Sequence, residues 1–120
     1  MRLTAVVPTY NEVDNLTPLV AELLGLDLPD IDLRVLVVDD ASPDGTGRLA
    51  DQLAERAEGR VDVLHRPAKG GLSSAYTEGF ARALAGGADL IAQLDADLSH
   101  QPSVLPNYRP CARRCGERIW

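Results

Sequence analysis

Apolar positions along this chain follow two alternating patterns. The unbroken runs "LTAVVP" (3–8), "LRVLVVDD" (33–40), "VDVLH" (61–65) and "DLIAQLDAD" (89–97) have the length of buried strands. Between them the spacing opens to three and four. Leu16, Leu19, Val20, Leu23 and Leu24 make one helical stripe, with Thr17-Pro18 as N-cap and first helical residue and Gly25 as its end. "GTGRLADQLAERA" makes a second, with Thr46 as N-cap and Leu49, Ala50, Leu53, Ala54 and Ala57 on one face. Leu72, Ala75, Tyr76, Gly79, Phe80, Ala83 and Leu84 make a third, closed by Gly86-Gly87. Strands that are apolar throughout and alternate with helices predict an α/β fold, a parallel sheet covered on both faces.

Right-handed crossovers put every strand-to-helix loop of such a sheet at one edge, where open α/β sheets bind ligands. Those loops read "PTYNEVDN", "DDASPDGTG", "HRPAKGGLSS" and "DADLSHQP"; the return connections "GLDLPDID", "EGR" and "AGGA" are ordinary turns. One edge is therefore rich in chemistry and the other is not.

Asp95 and Asp97 stand two apart in a still-extended segment, so both carboxylates point to one side and can reach one cation. Oxygen donors of this kind favour Mg2+ or Mn2+. Spacing alone is weak: with this much Asp, about one Asp-x-Asp arises by chance. Asp30-Ile31-Asp32, at the other edge, is the chain's own control and is given no role. Asp40 ends the second strand, where a carboxylate accepts from a base or ribose; Asp39 does the same or anchors a turn. Tyr10 can pack on a base, and Glu12 either accepts from ribose or base donors or complements a helix N-terminus. Arg66 and Lys69 either meet an anion at the helix opened by "KGGLSS" or are surface charges. His65 reads as a strand-end residue. Neither G-x-G-x-x-G nor G-x-x-x-x-G-K-[ST] occurs, which argues against a dinucleotide dehydrogenase or P-loop ATPase.

Composition narrows the class. The chain has 120 residues, enough for one domain or part of one, with a net charge of −6 that argues against a nucleic-acid partner. No signal peptide or membrane span is visible, so membrane contact would be peripheral or would come from parts not present in this sequence. Cys111 and Cys115 fit neither a disulfide framework nor a zinc site and suggest a reducing compartment.

The stretches "VVPTYNEVDNL", "VLVVDDASPDGT", "AKGGLSSAYTEGF" and "LDADLSHQP" together resemble the family 2 glycosyltransferases of GT-A fold, and within them the polyprenol-phosphate (dolichol-phosphate) mannosyltransferases. The resemblance implies a Rossmann-like nucleotide-diphospho-sugar transferase fold and a metal-dependent, inverting transfer of mannose from GDP-mannose to polyprenyl phosphate at the cytoplasmic membrane face. By motif, Pro8, Tyr10, Glu12 and Asp40 would line the nucleotide pocket, and Asp39, Lys69 and Asp95 are further candidates for binding the nucleotide sugar. Asp95 and Asp97 would be the catalytic pair that holds the metal on the diphosphate, with Ser99 assisting. Ser73 departs from the family pattern, which usually has Gly there, and Asp14 stands where Glu is common. A family 2 enzyme using another nucleotide sugar, or an inactive nucleotide- and metal-binding fragment, are the alternatives.

The resemblance covers residues 1 to 106 and fades after Leu105. Residues 109–120 carry four Arg and one Glu, both Cys and the sole Trp, against 17 acidic and 8 basic side chains in residues 1–108. The expectation is a GT-A domain truncated after about the fourth strand, with residues 107–120 an atypical tail from truncation or a shifted reading frame. A downstream GT-A half encoded in another frame would bear this out.

Overall fold

The computed structural model describes residues 1–26, 29–67 and 70–94. Strands β1 (Arg2–Thr9), β2 (Asp32–Asp39), β3 (Val61–His65) and β4 (Leu90–Gln93) alternate with helices α1 (Val13–Leu24), α2 (Thr46–Arg56) and α3 (Leu72–Ala85). The strands form one sheet in the order β3-β2-β1-β4, every neighbouring pair parallel. Ala5 of β1 lies between Val35 of β2 and Ala92 of β4.

Period-two alternation divides the strand residues between two cores. Leu3, Ala5, Val7, Leu33, Val35, Val37, Leu90 and Ala92 pack with Leu16, Leu19, Val20 and Leu23 of α1 and Ala50 of α2. Val6, Leu36, Val38 and Ile91 face the other way, onto Ala75 and Ala83 of α3. Both sets are apolar because helices cover both faces, the reason the strands read as unbroken runs. The predicted parallel sheet is therefore the one observed. Gly79 brings α3 close: a Cβ there would lie 2.6 Å from Val6 Cγ1 and 3.0 Å from Val38 Cγ2.

Three local expectations are corrected. α1 begins at Val13, with Glu12 in the N-cap position, so Pro18 lies inside the helix. Its missing N–H forfeits only the bond to the Asp14 carbonyl in the first turn, and the helix start is held from outside, as described below. Thr46 is the first residue of α2, not its N-cap; Gly45 caps it with a left-handed φ of 95°. Leu84 is 39% exposed. Each i+4 step turns about 40° around a helix, so the row Tyr76–Phe80–Leu84 rotates off the sheet by the last turn. β4 is assigned to Gln93, and Leu94 N–H continues the ladder to the Val6 carbonyl at 3.1 Å; residues 95–97 of the predicted strand lie outside the described residues. Among the described residues no helix is long and apolar enough to cross a membrane.

Candidate functional site

The register pairs Thr9 with Asp39 where β1 and β2 end, so their two loops leave the sheet side by side. They are tied together by hydroxyls and a carboxylate. Asn11 N–H donates to Ser42 Oγ at 3.0 Å, Glu12 N–H to Thr46 Oγ1 at 3.0 Å, and Val13 N–H to Asp44 Oδ2 at 3.2 Å. Ser42 Oγ in turn donates a hydrogen bond to Asp39 Oδ1, and Thr46 Oγ1 donates one to Asp44 Oδ1. The Glu12 and Val13 N–H groups at the start of α1 are thus capped by the neighbouring loop. Asn11 (φ 58°) and Ala41 (φ 55°) take left-handed conformations to make this fit, at roughly 1 kcal/mol or more for Ala41.

Asp39 is 3% exposed and fully engaged. It accepts from Thr9 Oγ1 at 2.8 Å, Ser42 N–H at 3.1 Å and Ser42 Oγ at 2.6 Å. Of the two roles the sequence left open, these contacts make the turn anchor. Gly47 leaves room for it, since a Cβ there would lie 2.9 Å from Asp39 Oδ2.

Asp40 differs. Its N–H donates to the Thr9 carbonyl at 3.0 Å, setting it level with the β1 loop. Asp40 is 6% exposed and lies beside a buried arginine: Arg66 Nη1 is 2.9 Å from Asp40 Oδ1. That approach lacks the alignment of a hydrogen bond, so Oδ1 is buried with a charge partner but no hydrogen bond. Among the described residues Oδ2 receives only a long contact from Gly70 N–H, 3.4 Å, and keeps acceptor capacity toward them.

Arg66 is held on every nitrogen. Nε meets Glu78 at 2.8 Å, Nη2 donates to Ser74 Oγ at 2.6 Å, and Nη1 adds the Gly71 carbonyl at 3.4 Å to Asp40. At 8% exposure it is neither a surface charge nor a free cation for an anion. It clamps Asp40 to the start of α3. Ser74 and Glu78, four apart on one helical face, were not read as site residues. Their spacing opposite a cation in the preceding loop was the signal available. Ser42 and Thr46 were missed as loop ties for a different reason, since nothing in sequence marks a cap donated across 30 residues.

Tyr10 is 38% exposed at the rim of this edge. Glu12 and Pro8 are half-buried; Glu12 Oε2 accepts from Asn15 Nδ2 at 2.9 Å, and Pro8 sits in β1 opposite Val38. His65 ends β3 and meets Asp51 of α2 at 2.8 Å. At the opposite edge, the control residue Asp32 pairs with Arg34 at 3.0 Å and Arg2 at 3.3 Å, a structural use of that carboxylate. The Arg34 hydrogen bond, more than any other contact, holds the Asp32 carboxyl below its usual 3.8.

Lys69, Asp95, Asp97 and Ser99 lie outside the described residues. Among those described, no group of three or more His, Cys, Asp or Glu is disposed to hold a metal. The Asp39 carboxylate is committed to hydroxyls, and Oδ1 of Asp40 faces Arg66. β4 reaches this same edge at Leu94, the residue before Asp95. Asp95 and Asp97, the pair the sequence offers for a divalent cation, follow Leu94 directly in the chain.

The model of glycosyl transferase family 2 matches residues 4–108. The chain belongs to this family. It is 48% identical over 113 residues to the undecaprenyl-phosphate mannosyltransferase of Micrococcus luteus, covering 94% of this chain and 45% of that protein. Against the polyprenol monophosphomannose synthase of Mycolicibacterium smegmatis it is 46% identical, covering 87% of this chain and 38% of the relative. The chain thus spans less than half the length of these relatives, corresponding to their N-terminal part. In three dimensions it is similar to the mannosyltransferase PcManGT of Pyrobaculum calidifontis in complex with GDP-Man and Mn2+, with a TM-score of 0.70 and 29% identity over 79% of this chain and 27% of that one. It is also similar to S. aureus TarS 1-349 in complex with UDP-GlcNAc, with a TM-score of 0.68 and 26% identity over 81% of this chain and 27% of that one. The fold is that of the GT-A glycosyltransferases.

Proposed function

We propose that this chain is the nucleotide-sugar-binding part of a polyprenol-phosphate mannosyltransferase, an enzyme that moves mannose from GDP-mannose to a polyprenyl phosphate. The observation that carries the reading is the clamped Asp40: a nearly buried carboxylate with acceptor capacity on Oδ2, fixed by Arg66 where two interlocked loops meet. Relatives named for mannosyl transfer to polyprenyl phosphates supply the sugar and the acceptor class.

In this reading Asp40 accepts from the N–H or O–H donors of the nucleoside, Tyr10 covers a ring face, and Pro8 and Glu12 complete the wall. Asp39 keeps the second loop in position from beneath. Asp95 and Asp97, with Ser99, would hold Mg2+ or Mn2+, and Lys69 belongs to the loop that meets the phosphates. The cation, when bound, offsets the negative charge that develops on the diphosphate. The acceptor phosphate oxygen forms a bond to C1 of mannose from the face opposite the diphosphate, the C1–O bond to GDP breaks, and the anomeric centre inverts. A phosphate monoester has its second pKa near about 6, so the acceptor arrives largely ionised. The site therefore needs no strong general base. Membrane contact follows from the lipid acceptor and is peripheral for this part of the chain.

Transfer of labelled mannose to polyprenyl phosphate, compared across GDP-mannose and UDP-sugars, tests the reading. Lipid-linked mannose of inverted configuration, made from GDP-mannose, is the expected product. The likeness to TarS favours one competing reading, a family 2 protein that takes a UDP-sugar. UDP-sugar binding with none of GDP-mannose would establish that alternative. Nucleotide binding without any transfer would instead mark a binding fragment.

A further inference from the structure

At the amino edge of the sheet, remote from the loops just described, the first residues of β1, β2 and β3 and the end of α3 surround an open depression. Arg2, Arg34, Arg60 and Arg82 line it, with Asp62 the lining carboxylate. They are four of the seven arginines among the described residues of a chain whose net charge is −6. The clustering runs against the charge of the molecule.

Two of the guanidinium groups are held in place by partners of their own. Arg2 donates through Nη1 to the Gly86 carbonyl at 2.7 Å and through Nε to Asp32 at 3.3 Å. Arg34 donates through Nη1 to the Gly59 carbonyl at 2.8 Å and through Nη2 to Asp32 at 3.0 Å. These contacts also cover the two carbonyls that would otherwise repel an anion. Arg82 is tied by Nη2 to Asp62 at 3.1 Å. A guanidinium carries five N–H donors, so each of the three keeps donors beyond those partners. Arg60 makes no side-chain hydrogen bond or ion pair among the described residues. Asp32 is shared by Arg2 and Arg34, Asp62 is taken by Arg82, and Asp89 accepts from the Arg2 backbone N–H at 2.8 Å, so none of these three carboxylates pairs with Arg60.

Capping of carbonyls explains Arg2 and Arg34, but it leaves Arg60 and the spare donors of Arg82 without a use. Preset guanidinium groups with spare donors match the several oxygens of a phosphate, which arginine binds in a fork. We infer that this depression is an anion site for a phosphate group, separate from the carboxyl-edge site and independent of the nucleotide-sugar reading. The depression lies at the amino ends of the strands, the opposite edge from the loops at Asp39 and Asp40.

The test is NMR of the arginine Nε–Hε signals in the full chain at constant ionic strength. Inorganic phosphate, diphosphate and vesicles containing phosphatidic acid are titrated in separate arms, with chloride as the control. The expected result is saturable movement of the Arg60 and Arg82 signals, an unmoved Arg66 signal, and at least tenfold weaker binding in Arg60→Ala/Arg82→Ala. Movement with free phosphate identifies a soluble anion as the ligand, and movement with vesicles alone identifies a lipid headgroup; both support the site. Equal movement in chloride, or affinity unchanged in the double variant, overturns it.

Discussion

At Arg66 one side chain joins three parts of the molecule: Asp40 at the end of β2, the loop after β3, and Ser74 and Glu78 on α3. A buried ion pair that loses one member leaves an uncompensated charge, which costs about 3–5 kcal/mol. Arg66→Ala is therefore expected to lower stability by that order, read as the urea midpoint. Asp40→Asn keeps the size and removes the charge, and is expected to weaken nucleotide binding as well as the fold. Two exposed carboxylates give the pH dependence. The Thr46 hydroxyl, above other contacts, holds Asp44 below its usual 3.8, and Arg34 does the same for Asp32. A carboxyl with a depressed folded value supports the fold fully above its unfolded value and loses that support as pH falls through the folded one. The urea midpoint should hold steady at about pH 5 and fall below the usual carboxyl range, with a shallower fall in Asp32→Asn and Asp44→Asn.

At the scale of elements, stripe and strand patterns marked every helix and strand because burial on a fixed face imposes a fixed period. What they missed was tertiary in origin. α1 starts four residues before Thr17 because Ser42, Asp44 and Thr46 cap it from another loop. No local signal carries that, and the Thr17-Pro18 pair imitates an N-terminus that the chain does not use. Ser42→Ala removes an acceptor of the Asn11 N–H and a donor to buried Asp39 together; a loss of about 0.5–2 kcal/mol is expected, the range of a helix cap. Gly79→Val is expected to cost about 1–3 kcal/mol by overpacking against Val6 and Val38. Either loss would lower the melting temperature by several degrees, about 4–8 °C per kcal/mol in a domain of this size.

For the whole molecule, the chemistry-bearing edge was legible because topology sorts the loops: parallel strands with right-handed crossovers send them all one way. The grouping of "PTYNE" with "DDASPDGT" is borne out as two physically interlocked loops. The division of labour between Asp39 and Asp40 was not legible, since adjacent carboxylates at a strand end differ only in which way the pleat turns them. One turns to Thr9 and Ser42, the other to Arg66. The central claim is that this edge holds GDP-mannose with a divalent cation. A thermal melt of the chain with and without GDP-mannose and Mn2+, for wild type and Asp97→Ala, tests it most directly. At a hundredfold excess over Kd the complex should gain about 2.7 kcal/mol, a clear rise in melting temperature for wild type and a much smaller one for Asp97→Ala. No rise with GDP-mannose, or an equal rise in both proteins, would contradict the account.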